Sequence, residues 1–371
     1  MTKLQFNGSP RPTLGIEIEL GLVDRQTMAL SSACKRLLEH LPDEKGEFYK
    51  PELMQCCIEL NSDVSDTVAD ARGDLEKKLR TVQAACDELD LGLWWGGTHP
   101  FSRWQDQCVT QTERYQSLVE LLQEMARRLI THGLHVHVGV ESGDKAVMIC
   151  DRIMQYLPTL LALSASSPFW QGRDTGLASQ RSKIMEGLPT AGLPTLMRNW
   201  SEYVWLVNHM VETGFINTIR EIWWDVRPHH NFGTVEVRVC DMPGNMDDVC
   251  GLAALVQCLV RYLSDEIDEG TYQFDCHPMM IRQNKWRASR FGLAAPLVNS
   301  YNYRSQSVPE VAEKLGRQLR DVSQELGCEA ELEHVVAISK SSNGAIQQRA
   351  VLERTGQKTE VVRQLIEAAR I

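Results

Sequence analysis

Four short segments set acids, histidines or arginines at alternate positions between aliphatic residues. In Gly15-Ile16-Glu17-Ile18-Glu19-Leu20, period two puts Glu17 and Glu19 on one face of a strand and Ile16, Ile18 and Leu20 on the other. Two carboxylates roughly 7 Å apart repel each other unless they are solvated, paired or bound to cations. The segment therefore reads equally as a wet strand face or as part of a metal site. In Gln55–Asn61 the same alternation aligns Gln55, Glu59 and Asn61. Glu52, seven residues before Glu59, joins them only if the chain bends between the two. His135 and His137 share a face in HVHVGV, a spacing that also suits zinc hydrolases. Thr234, Glu236 and Arg238 align opposite a valine row, which alone reads as a surface ion pair.

Recurrence gives these segments their weight. One sheet with an apolar back and a front bearing Glu17, Glu19, Glu59, His137 and Glu236 is electrostatically costly without cations. Several oxygen donors with one imidazole suit Mg²⁺ or Mn²⁺ better than Zn²⁺. Carboxylates holding such an ion beside an arginine such as Arg238 are what phosphoryl transfer from ATP requires. The chain has neither a GxxxxGK[ST] loop nor a GxGxxG turn after a strand. Spacing alone thus reaches a divalent-metal enzyme and leaves the reaction open.

The elements that must position these residues are strands separated by long helical patterns. Strands are expected at 12–23, 56–62, 133–140 and 232–241, a strand followed by a loop over 91–100, and helices at 64–91, 112–131, 144–164, 196–213 and 249–267. The segment 308–371 is mostly helical and highly charged, reading as a solvated helical face. Charge at alternate strand positions argues against a buried parallel sheet. The expected fold class is α+β, a mainly antiparallel sheet covered by helices on one face and functional on the other. Residues 1–371 read as one catalytic domain, with a core over 12–295 and a helical segment over 308–371. The 39 Lys and Arg against 49 Asp and Glu give a net charge of −10, which disfavours nucleic-acid or anionic-membrane partners. No apolar run reaches the roughly 18 residues of a spanning helix, and a cytoplasmic protein is expected. The 11 cysteines lack chelating spacing and read as reduced thiols.

In order along the chain, TLGIEIELGLVD, GTHPFSRWQDQ, ERYQSL, HVHVGV, LPTLLALSASSPFWQGRDTGLASQR, IWWDVRP and FGTVEVRVCD resemble the glutamate–cysteine ligase type 2 family, in particular its YbdK-like carboxylate–amine ligases. The resemblance runs from about Thr13 to about Leu263, with a weaker echo in NKWRASRFGL. It implies a glutamine-synthetase-like fold whose antiparallel sheet forms an open funnel. It also implies an ATP-dependent reaction joining a carboxylate, glutamate by family default, to an amine through an acyl phosphate. Carried over by position, Glu17, Glu19, Glu59, His137 and Glu236 are the metal ligands, for Mg²⁺ or Mn²⁺, and Arg238 lies against the transferring phosphate. Arg181 grips the acyl phosphate or the substrate carboxylate, or else is an exposed arginine at a helix end; Arg227 is the other candidate. Trp94, Trp95, Trp223 and Trp224 are expected in the core, and Leu188–Thr195 is a candidate lid. Two positions depart from the family pattern. Ile18 stands where a third acid is usual, and Asn61-Ser62-Asp63 replaces an expected threonine. A zinc or manganese hydrolase built on the histidine pair and a non-catalytic binding relative are the competing classes, and a homo-oligomer is left open.

Overall fold

A computed structural model describes residues 4–42, 48–271 and 276–371. Its centre is a seven-stranded antiparallel sheet: β1 (Leu14–Asp24), β2 (Tyr49–Pro51), β3 (Cys57–Asn61), β4 (Leu91–Trp94), β5 (Gly133–Gly139), β6 (Val226–His229) and β7 (Thr234–Asp241). The order is β2-β3-β1-β5-β7-β6, with β4 pairing the far end of β1. Ile16, Ile18, Leu20, Leu134, Val136, Val138, Val235 and Val237 form the buried back of the sheet. Each such side chain contributes about 1.5–3 kcal/mol on leaving water, so a one-residue slip that turned this row to the front is strongly disfavoured.

Helices cover that back. α1 (Val68–Glu88) is capped by the Thr67 side chain, which accepts from the Asp70 amide. The long helix α4 (Met246–Asp268) starts likewise at Asn245 and is buried along most of its length. Between them the expected helix over 144–164 is two, α2 (Gly143–Ile153) and α3 (Leu157–Ser164), bent by 66°. Pro158 in the first turn of α3 has no N–H to continue the first helix, so the chain turns there. The expected helix over 112–131 also breaks, at Gln123, whose φ of 51° is left-handed. No single helix among the described residues is long and apolar enough to cross a membrane.

Two edge strands escape the sequence reading. β2 has three residues, and β6 contains Pro228, which an edge tolerates because one side of the strand has no ladder to complete. The segment 308–371 is helical as expected but more than a solvated face: Leu315, Leu319, Leu332 and Val335 join the main core, and Val362 and Ile366 belong to the cluster holding Trp94. Trp94 and Trp95 are fully buried, as expected; Trp223 and Trp224 are half-buried against that cluster and a third one.

Candidate active site

Register sets the front face row by row. Glu17 lies opposite His135 on one side and Asn61 on the other; Glu19 lies opposite Glu59. His137 lies opposite Glu236, which lies opposite Arg227. Hydrogen bonding then pins the side chains. The Gly133 amide donates to Glu19 at 2.5 Å, Asn61 donates to Glu59 at 2.6 Å, and the Lys50 ammonium stands 3.4 Å from Glu59. Glu52 does reach this face. The β2–β3 hairpin sets Lys50 opposite Glu59, so Glu52, two residues on, returns to the same side. Burial first, and then repulsion from Glu59 and Glu19, push the Glu52 carboxyl well above the usual carboxylate range.

The two histidines part company. His135 is buried and its Nδ1 bonds Glu17, so with the proton there the Nε2 lone pair is free. That Nε2 is buried without a hydrogen-bond partner, 3.9 Å from Glu19 Oε1. Donor atoms of Glu17, Glu19 and His135 lie within 4.8 Å of one another. Burial, followed by the charge of Arg238, drives the His135 pKa down to about 3, so the ring is neutral near pH 7. His137 instead bonds Thr234 Oγ1 at 3.0 Å, with its Nε2 3.9 Å from Glu236. The pair does not converge on one ion, which removes the geometric basis of the hydrolase alternative.

Glu236 is buried between two guanidinium groups. Arg227 donates to both its oxygens, at 2.7 and 3.2 Å, and Arg238 donates to one of them. Burial opposes the charge, but Arg227 and Arg238 outweigh it and hold the carboxyl well below its usual range. Arg227 also donates to the Ile222 carbonyl at 2.5 Å, so its guanidinium is committed to holding Glu236. Arg181 is buried rather than exposed, at 4%. It donates to the Arg238 carbonyl and lies 4.0 Å from Asp241, while its Nε has no partner. A Cβ at position 133 would stand 2.1 Å from its Nη2, so Gly133 is what lets Arg181 reach the sheet floor. The candidate lid is tied beside this floor: the Asp225 amide donates to Gly192, and the Arg238 amide to Asp225.

Sequence reasoning misses Asp241. Alternation from Glu236 puts it on the back. A bulge in β7, where Val237 pairs Val136 but Cys240 pairs Leu134, reverses the faces and sets Asp241 opposite Gly133. There it accepts from the Ser166 amide and the Ser167 and Ser179 hydroxyls. It thereby fastens the segment carrying Arg181 to the sheet.

A divalent cation suits this face: clustered carboxylates, of which Glu19 and Glu52 are raised by burial, and a buried imidazole nitrogen aimed at them with no partner. Proton and cation compete here. Burial, only partly offset by His135 and Arg181, also raises Glu19 above its ordinary 4.5. Glu19 and Glu52 thus hold protons in the folded, metal-free chain that they release on unfolding above that pH, a contribution to stability that falls as pH rises from 4.5 towards neutrality. The neutral rings of His99, His132, His135 and His229, whose pKa values burial lowers, take up protons on unfolding below 6.5 and contribute the opposite slope. Glu236 contributes only below that window. The rise in melting temperature given by millimolar Mg²⁺ is therefore expected to grow as pH rises from 4.5 towards neutrality; an increment that does not grow with pH argues against cation binding by these carboxylates.

An antiparallel sheet floored with carboxylates and bordered by buried arginines suits phosphoryl transfer from a metal-bound nucleotide. The sequence model described as glutamate-cysteine ligase family 2 matches residues 13–368, and the chain belongs to that family. A relative from Gloeobacter violaceus, whose name places it provisionally as glutamate–cysteine ligase 2, is 42% identical over 364 residues, covering 98% of both chains. One from Frankia casuarinae with a similar name is 40% identical, covering 98% of this chain and 97% of its own. Among solved structures, a glutamate–cysteine ligase from Francisella tularensis in complex with AMP superposes with a TM-score of 0.70 at 13% identity, over 98% of this chain and 90% of that one. A bifunctional glutathione synthetase from Pasteurella multocida gives 0.70 at 14%, over 97% of this chain; this chain spans about half of it, 52%. These two likenesses agree on the fold. Family membership makes this chain an ATP-dependent enzyme forming a C–N bond.

Proposed function

We propose that the front of the sheet activates a glutamate-type carboxylate with ATP, as an acyl phosphate, and passes it to an amine. The observation that carries this reading is the pairing of a carboxylate cluster (Glu17, Glu19, Glu52, Glu59 with His135) with a separate, ionised Glu236 clasped by Arg227 and Arg238. Glu17, Glu19, Glu59 and Glu236 would hold Mg²⁺ or Mn²⁺. Glu52 joins them, and His135 is better placed than His137 to supply the imidazole. When bound, such an ion neutralises phosphate oxygens and makes ADP a competent leaving group. Arg238 faces the same floor and supplies positive charge where the transferring phosphoryl group would pass. Arg227 keeps Glu236 ionised and oriented. Arg181, with an unpartnered buried Nε, is placed to take an acyl phosphate or carboxylate oxygen. The Leu188–Thr195 loop is the candidate cover that keeps water from the acyl phosphate. A cytoplasmic setting and glutamate itself as donor belong to the same reading.

The test is ADP release with Mg²⁺ and ATP over a panel of amino-acid donors, each with and without a second amine. Release that requires both partners is the expected result. Release that needs no amine, or none over the panel, removes the proposed reaction.

A further inference from the structure

The two sequence motifs that contribute least to the carboxylate floor, GTHPFSRWQDQ and SPFWQGRDTGLASQR, meet in space. Thr98 Oγ1 donates to the Phe169 carbonyl at 2.7 Å and the Gly172 amide to the Pro100 carbonyl at 3.0 Å. Together they wall a groove of about 650 Å³, lined by Trp104, Gln105, Trp170 and Gln180, with Arg128 and Arg173 in its sides. The hairpin that presents Arg173 turns through Gln171 and Gly172, both at positive φ (48° and 80°). A non-glycine residue held there is a strained turn that the Pro100 contact keeps in place.

Charge gives the groove its character. Neither the Arg128 nor the Arg173 side chain has a hydrogen bond or ion pair among the described residues. Of the two carboxylates in the wall, Asp174 is held in two hydrogen bonds by Arg349, which leaves only Glu124 against two free guanidinium groups. Two indole rings, one of them buried at 5%, flank them with apolar surface and lower the local dielectric. A guanidinium group matches a carboxylate's paired oxygens. The groove is joined to the site along the chain. Gln180 is bonded in the chain to Arg181, whose guanidinium rests on Gly133, and Arg128, which follows the short helix Glu124–Arg127, leads through 129–132 into β5.

We propose that this groove binds a carboxylate of a substrate that does not itself react, so that Arg128 and Arg173 select amino-acid substrates over simple acids or amines. This rests on the ligase reading above. The carboxylate comes from one of two sources: the amine acceptor, or the donor's second carboxyl group.

Kinetics on the full chain separate them. L-cysteine is compared with cysteamine as acceptor, and L-glutamate with 4-aminobutyrate as donor, in the wild type and in an Arg128→Gln, Arg173→Gln double variant. The expected result is a KM raised at least tenfold for one carboxylate-bearing partner, with kcat within about threefold, an unchanged KM for ATP and no change for the matching decarboxylated compound. A rise for cysteine assigns the groove to the acceptor, and a rise for glutamate assigns it to the donor. Unchanged KM values for both, in a variant that still turns over, overturn the groove proposal while leaving the ligase intact. A wild type that releases no ADP with any pair removes the ligase reading; calorimetric titration of glutamate and cysteine into both proteins then decides the groove, equal affinities overturning it and binding lost in the variant supporting it.

Discussion

Glu236→Gln is expected to lower the rate of ADP formation by about three orders of magnitude while leaving a folded protein. The amide has nearly the same shape, and its oxygen still accepts a hydrogen bond. What it removes is the buried negative charge between Arg227 and Arg238. That charge orients both guanidinium groups, and with it goes the carboxylate proposed for a cation. Two buried guanidinium groups would then share a neutral partner, and an uncompensated buried charge costs about 3–5 kcal/mol. A lower melting temperature is expected alongside. The rate should therefore be measured well below that temperature, with circular dichroism confirming the fold. A rate within tenfold of wild type would take Glu236 out of the chemistry.

The second large effect separates the two histidines. His135→Asn is expected to weaken Mn²⁺ binding by about 10–100-fold and kcat/KM by at least as much, whereas His137→Asn should change either by less than tenfold. His135 aims an unpartnered Nε2 at Glu19, while His137 is held by Thr234 beside Glu236 and packs edge-on against Phe232. Calorimetric titration of Mn²⁺ into each purified variant reads the difference independently of turnover. The reverse ranking would restore His137 as the imidazole ligand.

Much of this site is legible in the amino-acid sequence, for a local reason. Side chains in a strand alternate, so the shared face of Glu17 and Glu19, or of Glu236 and Arg238, follows from spacing alone. The recurrence of that pattern on four segments implies one sheet with a polar front. The family resemblance sharpens this to a ligase and names Arg181, whose burial no periodicity can show. Where alternation breaks, inference from spacing breaks with it. Spacing puts Asp241 on the wrong face because a bulge adds a residue to β7, and it underweights Glu52 because a hairpin, not a strand, brings that residue to Glu59.

The choice between His135 and His137 shows most plainly what sequence lacks. Both occupy equivalent positions on one strand face, and the register of β5 against β1 and β7 alone sets one beside Glu17 and the other beside Glu236. The acidic sheet front, the apolar back and the antiparallel class are determined by the sequence, because period-two patterning is a property of the strand. The partners of each charge are decided only by the tertiary structure. Coulomb energies and desolvation depend on distances between strands far apart in the chain, and no local pattern encodes them.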